Sequence, residues 1–98
     1  MIEPILDSIE PIIVEELSRA NLVNPPFHSS HEGIAIIEEE LAEAQECMHL
    51  ADFNFNMAKE HIFHDRDAEY NIQALRKQAK YAIAELVQVA AMCDKYAR

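Results

Sequence analysis

The sequence has no tryptophan, a single glycine, and eight lysine and arginine residues against eighteen aspartate and glutamate. One glycine leaves little provision for the tight turns and bulges of a β-rich fold. Half of the residues are hydrophobic, so an all-α fold is expected. The net charge of −10 argues against a nucleic-acid polymer as partner, because backbone binding takes a basic face. It leaves open a small nucleotide held through metal ions. No apolar run approaches the roughly 20 residues of a membrane span, and the N-terminus lacks the basic start and apolar core of a signal peptide. Cys47 and Cys93 fall inside helical patterns. They read as reduced core thiols of a cytoplasmic protein, with a disulfide as the alternative. The 98 residues suit one domain over 1–98 with a modest core.

Three helices are predicted. The first spans about residues 8–22: Asp7 to Glu10 reads as a capping box, and Pro11 then falls in the first turn. The alternative is a start at Pro4 with a kink near Pro11. Ile9, Ile12, Ile13, Leu17 and Ala20 form its expected buried side. Asn24-Pro25-Pro26 breaks the chain. Ser29 to Glu32 is a second capping box, opening a helix over about 30–63. Asn54 and Asn56 are a weak sign of interruption within it. The segment Phe63 to Arg66 is the expected turn, with Asp65 as cap of a third helix over about 66–96. The apolar seam of helix two is Ile34, Ile37, Leu41, Ala44, Met48, Ala51, Phe55, Ala58, Ile62. That of helix three is Ile72, Leu75, Ala79, Ala82, Leu86, Val89, Cys93, Tyr96. Both advance in alternating steps of three and four, as one helical face does.

Against this apolar frame, the acids of His31 to Glu46 stand out. A row one residue before the seam reads Ile36, Glu40, Glu43, Cys47, Leu50, with Met57 further on. Glu40 and Glu43 are therefore helical neighbours beside the core. Two carboxylates at that spacing repel, and partial burial adds cost unless a partner compensates. A divalent cation relieves both. Helix three repeats the device: Glu85 and Gln88 are the polar residues of the run Ile83 to Cys93. They are three apart, again one residue before seam positions. Antiparallel packing would gather four oxygen-bearing side chains, a set suited to Mg²⁺ or Mn²⁺. The competing readings are a solvated row for Glu40 and Glu43 and a mutually hydrogen-bonded Glu85 and Gln88.

The order His31-Glu32-Gly33, then Glu39-Glu40-x-x-Glu43, then Glu85-x-x-Gln88-Val89-Ala90-Ala91-Met92 resembles the MazG-like, all-α nucleoside triphosphate pyrophosphohydrolases of the small phage and bacterial type. The resemblance covers about residues 27–92. It implies hydrolysis of a nucleoside triphosphate to the monophosphate and pyrophosphate with Mg²⁺. It also implies that Glu40, Glu43 and Glu85 are metal ligands, with Gln88 at the fourth position and Glu39 as the acid that orients water. Gln88 departs from the family pattern, which has Asp there. It keeps a carbonyl oxygen but neither neutralises charge nor acts as a base. The spacer from Ala44 to Ala84 is also longer than in compact members.

Arg76, Lys77 and Lys80 are candidate phosphate contacts, set against a plain solvated face. Phe53, Phe55 and Tyr81 could stack on a base, although aromatics at helical spacing are more often core. Glu46-x-x-His49 has the spacing of di-iron bundles, but no second copy accompanies it. His28 and His31 with the two cysteines lack zinc-type spacing. A helix that is apolar nearly all round, as Ile83 to Cys93 is, has to be buried on several sides. One short helix is too little cover for two long ones. The bundle is therefore expected to be completed by homo-oligomerisation, as a homodimer or homotetramer, which the resemblance also implies. Two functions stay open: the nucleotide pyrophosphohydrolase, and a catalytically weakened helical assembly protein of phage origin that keeps the same fold.

Overall fold

The computed structural model describes residues 1–97. They form three α-helices: α1 over Glu3–Val23, α2 over Ser30–Phe63 and α3 over Glu69–Ala97. There is no strand among the described residues, and no helix is long and apolar enough to cross a membrane. The chain divides into two units. The first holds Met1–Leu41 and the end of α3 from Glu85; the second is Ala42–Ala84.

In the first unit, α1 begins five residues before the expected Ser8. Pro4 occupies its first turn, where a missing N–H costs nothing. Pro11 lies inside the helix. Asp7 therefore lies inside the helix rather than capping it, and the Ser8 hydroxyl donates to the Pro4 carbonyl at 3.1 Å. Leu17 is buried and, with Ala91 and Met92 of α3, forms the core against which Ile13, Ala20, Phe27, Ile36 and Ile37 pack. Ile12, expected inside, is exposed. The start of α2 is capped as expected, with the Glu32 amide donating to Ser29 Oγ at 3.1 Å. The Glu32 carboxylate, however, turns to the His28 amide and ring. Gly33 has a packing reason: a Cβ there would sit 2.7 Å from a Tyr96 ring carbon and 3.0 Å from Phe27.

In the second unit, α2 runs on without interruption, and the side chain of Asn54 is put to use. Its Nδ2 donates to the Leu50 carbonyl at 2.9 Å, and its Oδ1 accepts from Asn71 Nδ2 at 3.1 Å. The turn after Phe63 is a Schellman motif. The Arg66 amide donates to the His61 carbonyl, and the Asp65 amide to that of Ile62, while Asp65 takes a left-handed φ of 56°. Asp65 therefore ends α2 rather than capping α3. The cap is Asp67, whose Oδ1 accepts from the Glu69 amide at 3.0 Å, so α3 starts about three residues later than expected.

The seams are rotated from their expected positions. On α2 the alanines Ala44, Ala51 and Ala58 are buried, and Ile37, Glu40, Cys47, Asn54 and His61 are half-buried. Ile34, Leu41, Met48, Phe55 and Ile62, the bulky half of the expected seam, are all exposed. On α3 the buried or half-buried face includes Asn71, Leu75, Gln78, Ala82 and Glu85, while Ile72, Ala79, Leu86 and Cys93 are exposed. Close helix contact favours the small side chains, and the large ones turn outward.

Asp65 predicts a stability change. A side chain in the left-handed region is strained where glycine is not. Asp65→Gly should stabilise the protein by about 0.5–1 kcal/mol in urea unfolding. Asn71→Ala should destabilise it by about 1–3 kcal/mol, because Asn54 loses its buried partner.

Candidate metal centre

The rotation of α2 moves Glu40 towards the contact face. In the first unit Glu40 and Glu85 are both half-buried. Glu43 follows one turn along α2 and is exposed. Within the first unit a carboxylate oxygen of Glu40 and one of Glu85 lie within 4.8 Å of each other. Both are among the acids singled out from sequence spacing. Two carboxylates at that distance oppose one another, and a divalent cation converts that repulsion into attraction. The donor set is all oxygen, which fits a hard cation.

Gln88, one turn after Glu85, is half-buried and held from α1: its Nε2 donates to Glu16 Oε1 at 2.8 Å. Glu16 carries an ion pair to Arg19 on its other oxygen, and its side chain is only 15% exposed. A carboxylate accepts only, so the Gln88 amide nitrogen faces Glu16 and the carbonyl oxygen is the atom left for a cation. Glu16 was not found from the sequence, because the pairing spans 72 positions and α1 carries no recognisable motif.

Beside Glu40 and Gln88 opens a cleft of about 270 Å³, walled by Phe27, Ile36 and Met92 and edged by Glu32 and Lys95. The Lys95 ammonium lies over the Phe27 ring, 4.8 Å from its centre, a favourable cation–π contact. Lys95 was missed as well, although its signal was present. Glu85, Gln88, Met92 and Lys95 follow steps of three, four and three, so continuing the polar row of α3 reaches it.

The remaining candidates are placed elsewhere. Glu39 is exposed and does not belong to the carboxylate group. Arg76, Lys77 and Lys80 are exposed on α3 in the second unit and do not line the cleft. The Lys77 ammonium sits over the Tyr81 ring at 5.7 Å. Phe53 and Phe55 are exposed on α2 in that same unit. Glu46 and His49 are exposed, and neither joins the carboxylate group. Both cysteines are free thiols, Cys47 half-buried and Cys93 exposed. Comparison with protein families, with curated proteins and with solved structures finds no match.

A cation bound only by the folded protein raises its stability, by about 2.7 kcal/mol at a hundredfold excess over Kd. Mg²⁺ or Mn²⁺ should therefore raise the melting temperature, on the order of 10 °C for a chain of this size. Glu40→Ala combined with Glu43→Ala should abolish the response. A full Mg²⁺ shift in the double variant would place the site elsewhere.

Proposed function

We propose that the chain is a Mg²⁺-dependent nucleoside triphosphate pyrophosphohydrolase of the MazG-like, all-α type, working as a homodimer or homotetramer in the cytoplasm. The observation that carries this reading is the approach of Glu40 and Glu85, one acid from each of two helices, beside a cleft with both apolar and charged walls. Glu40, Glu43 and Glu85 would hold Mg²⁺ (or Mn²⁺), with the Gln88 carbonyl oxygen as a neutral fourth ligand.

The reaction adds water across the α–β phosphoanhydride linkage and yields a nucleoside monophosphate and pyrophosphate. When bound, Mg²⁺ cancels phosphate charge and activates the attacking water. The other tasks fall to the chain. Lys95 supplies a positive charge at the cleft edge for phosphate oxygens. Phe27, Ile36 and Met92 give an apolar wall for a base or sugar. Glu16 keeps the Gln88 amide turned so that its carbonyl stays available. The resemblance alone assigns Glu39, the neighbour of Glu40 in sequence, to orient the water; on that assignment Glu39→Gln should reduce turnover while leaving the Mg²⁺ melting shift intact.

The test is pyrophosphate release from a panel of standard and modified nucleoside triphosphates with Mg²⁺ or Mn²⁺, comparing the wild type with the Glu40→Ala, Glu43→Ala double variant. Release by the wild type alone supports the reading. A wild type that binds Mg²⁺ but releases no pyrophosphate from any of them would favour the second reading, a catalytically weakened assembly protein of phage origin. The observation behind that alternative is Gln88 itself, a neutral side chain where the family pattern has Asp, with its amide taken up by Glu16.

Gln88→Asp separates these roles. The new carboxylate would face Glu16, so the metal-free protein should melt lower. The added negative charge should enlarge the Mg²⁺-induced shift and raise any hydrolysis. A Mg²⁺ response equal to or smaller than that of the wild type, with the fold intact, would remove Gln88 from the ligand set.

A further inference from the structure

Gln88 is the neutral member of the candidate metal centre, and the group that holds it is an anion. Its Nε2 donates to Glu16 Oε1 at 2.8 Å, and the other oxygen of Glu16 takes the Arg19 guanidinium. These three residues lie in the first unit with Glu40 and Glu85. The Glu16 side chain is 15% exposed, that of Arg19 61%. The Glu16–Arg19 pair joins neighbours three apart on α1 and needs nothing from α3. A plain brace between α1 and α3 would need only a neutral acceptor for the Gln88 amide. A carboxylate does more, because its hydrogen bond is charge-assisted and stronger. Donation from the amide nitrogen also shifts electron density towards the carbonyl oxygen, since nitrogen and oxygen share one conjugated group. Water screens so sheltered a carboxylate less than an exposed one, so its field acts across the amide. Gln88 and Glu40 line the same cleft.

We propose that Glu16 does more than turn the Gln88 amide: it supplies the centre with negative charge relayed through that amide, and Arg19 sets how much of the charge arrives. The inference rests on the metal-binding part of the reading above and not on its nucleotide chemistry. Glu16 is a positioning residue for the cation, acting through Gln88 as carboxylates behind metal-bound side chains do. Two opposed effects follow. Neutralising Glu16 weakens cation binding. Removing Arg19, which draws on the Glu16 charge from the other side, strengthens it. A brace alone predicts one sign for both, because each change removes a bond from the same chain of contacts.

The experiment is calorimetric titration of the full chain with Mn²⁺ alone, without nucleotide, using the Glu40→Ala, Glu43→Ala double variant as the blank. Glu16→Gln keeps an oxygen that accepts from Gln88 Nε2 and removes the charge. It should raise the Mn²⁺ dissociation constant by about 10- to 100-fold. Arg19→Met should lower it by about two- to fivefold. Glu15 pairs with Arg19 at 3.1 Å and has no bond to Gln88. Glu15→Gln should therefore stay within about twofold of the wild type. Exchanging the pair, Glu16→Gln with Gln88→Glu, restores both charge and hydrogen bond. The exchanged protein should bind Mn²⁺ at least as tightly as the wild type, and it decides the matter if Glu16→Gln alone fails to fold. Wild-type affinity in Glu16→Gln, weaker binding in Arg19→Met, or a tenfold loss in the exchanged pair overturns the relay and leaves the metal centre and the proposed reaction in place. An equal loss in Glu15→Gln and Glu16→Gln overturns it too, since the effect is then the general field of α1. A wild type that binds Mn²⁺ no better than the blank overturns the metal reading itself, and the relay with it.

Discussion

Small side chains on the contact faces of α2 and α3 set the rest of the arrangement. Ala44, Ala51 and Ala58 on α2, with Ala82 on α3, are what a close helix–helix approach admits. Placing them inside fixes the rotation of each helix. That rotation carries Met48, Phe55 and Ile62 outward and brings the next row inward. Asn54 and Asn71 are consequences: two polar side chains drawn into the contact and satisfied there by each other. The same rotation, continued back along α2, leaves Glu40 half-buried. Carboxylates on the contact face of a helix and bulky hydrophobes on its open flank thus have a single cause.

The candidate metal centre depends on support from residues outside its own acids. Gln88 is oriented by Glu16 from α1, and Glu16 is in turn tied to Arg19. Gly33 lets the start of α2 lie against Phe27 and Tyr96, and Phe27 is the ring beneath Lys95. The His31-Glu32-Gly33 segment therefore acts through packing at its glycine and through the Glu32–His28 pairing. His31 is exposed. A ligand in the cleft would meet an apolar wall, one cation and the edge of the acidic group, a combination of polar and apolar contacts typical of small-molecule sites.

The sequence by itself determined the three helices, the end of α2 near Phe63 and the choice of Glu40 and Glu85 as acids that meet. Each of these follows from short-range spacing: a 3.6-residue period, a capping box, a pair three residues apart. Its readings went astray where two spacings competed. Both the row through Ile34, Leu41 and Met48 and the row through Glu40, Cys47 and Asn54 pass through the same alanines, and hydrophobicity alone favours the first. Only the tertiary structure chose the second, because how closely two helices approach depends on side-chain volume across the contact and not on the pattern within either helix. The Glu16–Gln88 hydrogen bond was likewise beyond reach, since it joins residues whose proximity exists only once the chain has folded. The roles of Asp65 and Asp67 were decided at the same level. Either can cap a helix, and the left-handed backbone at Asp65, fixed by the carbonyls of His61 and Ile62, left the start of α3 to Asp67.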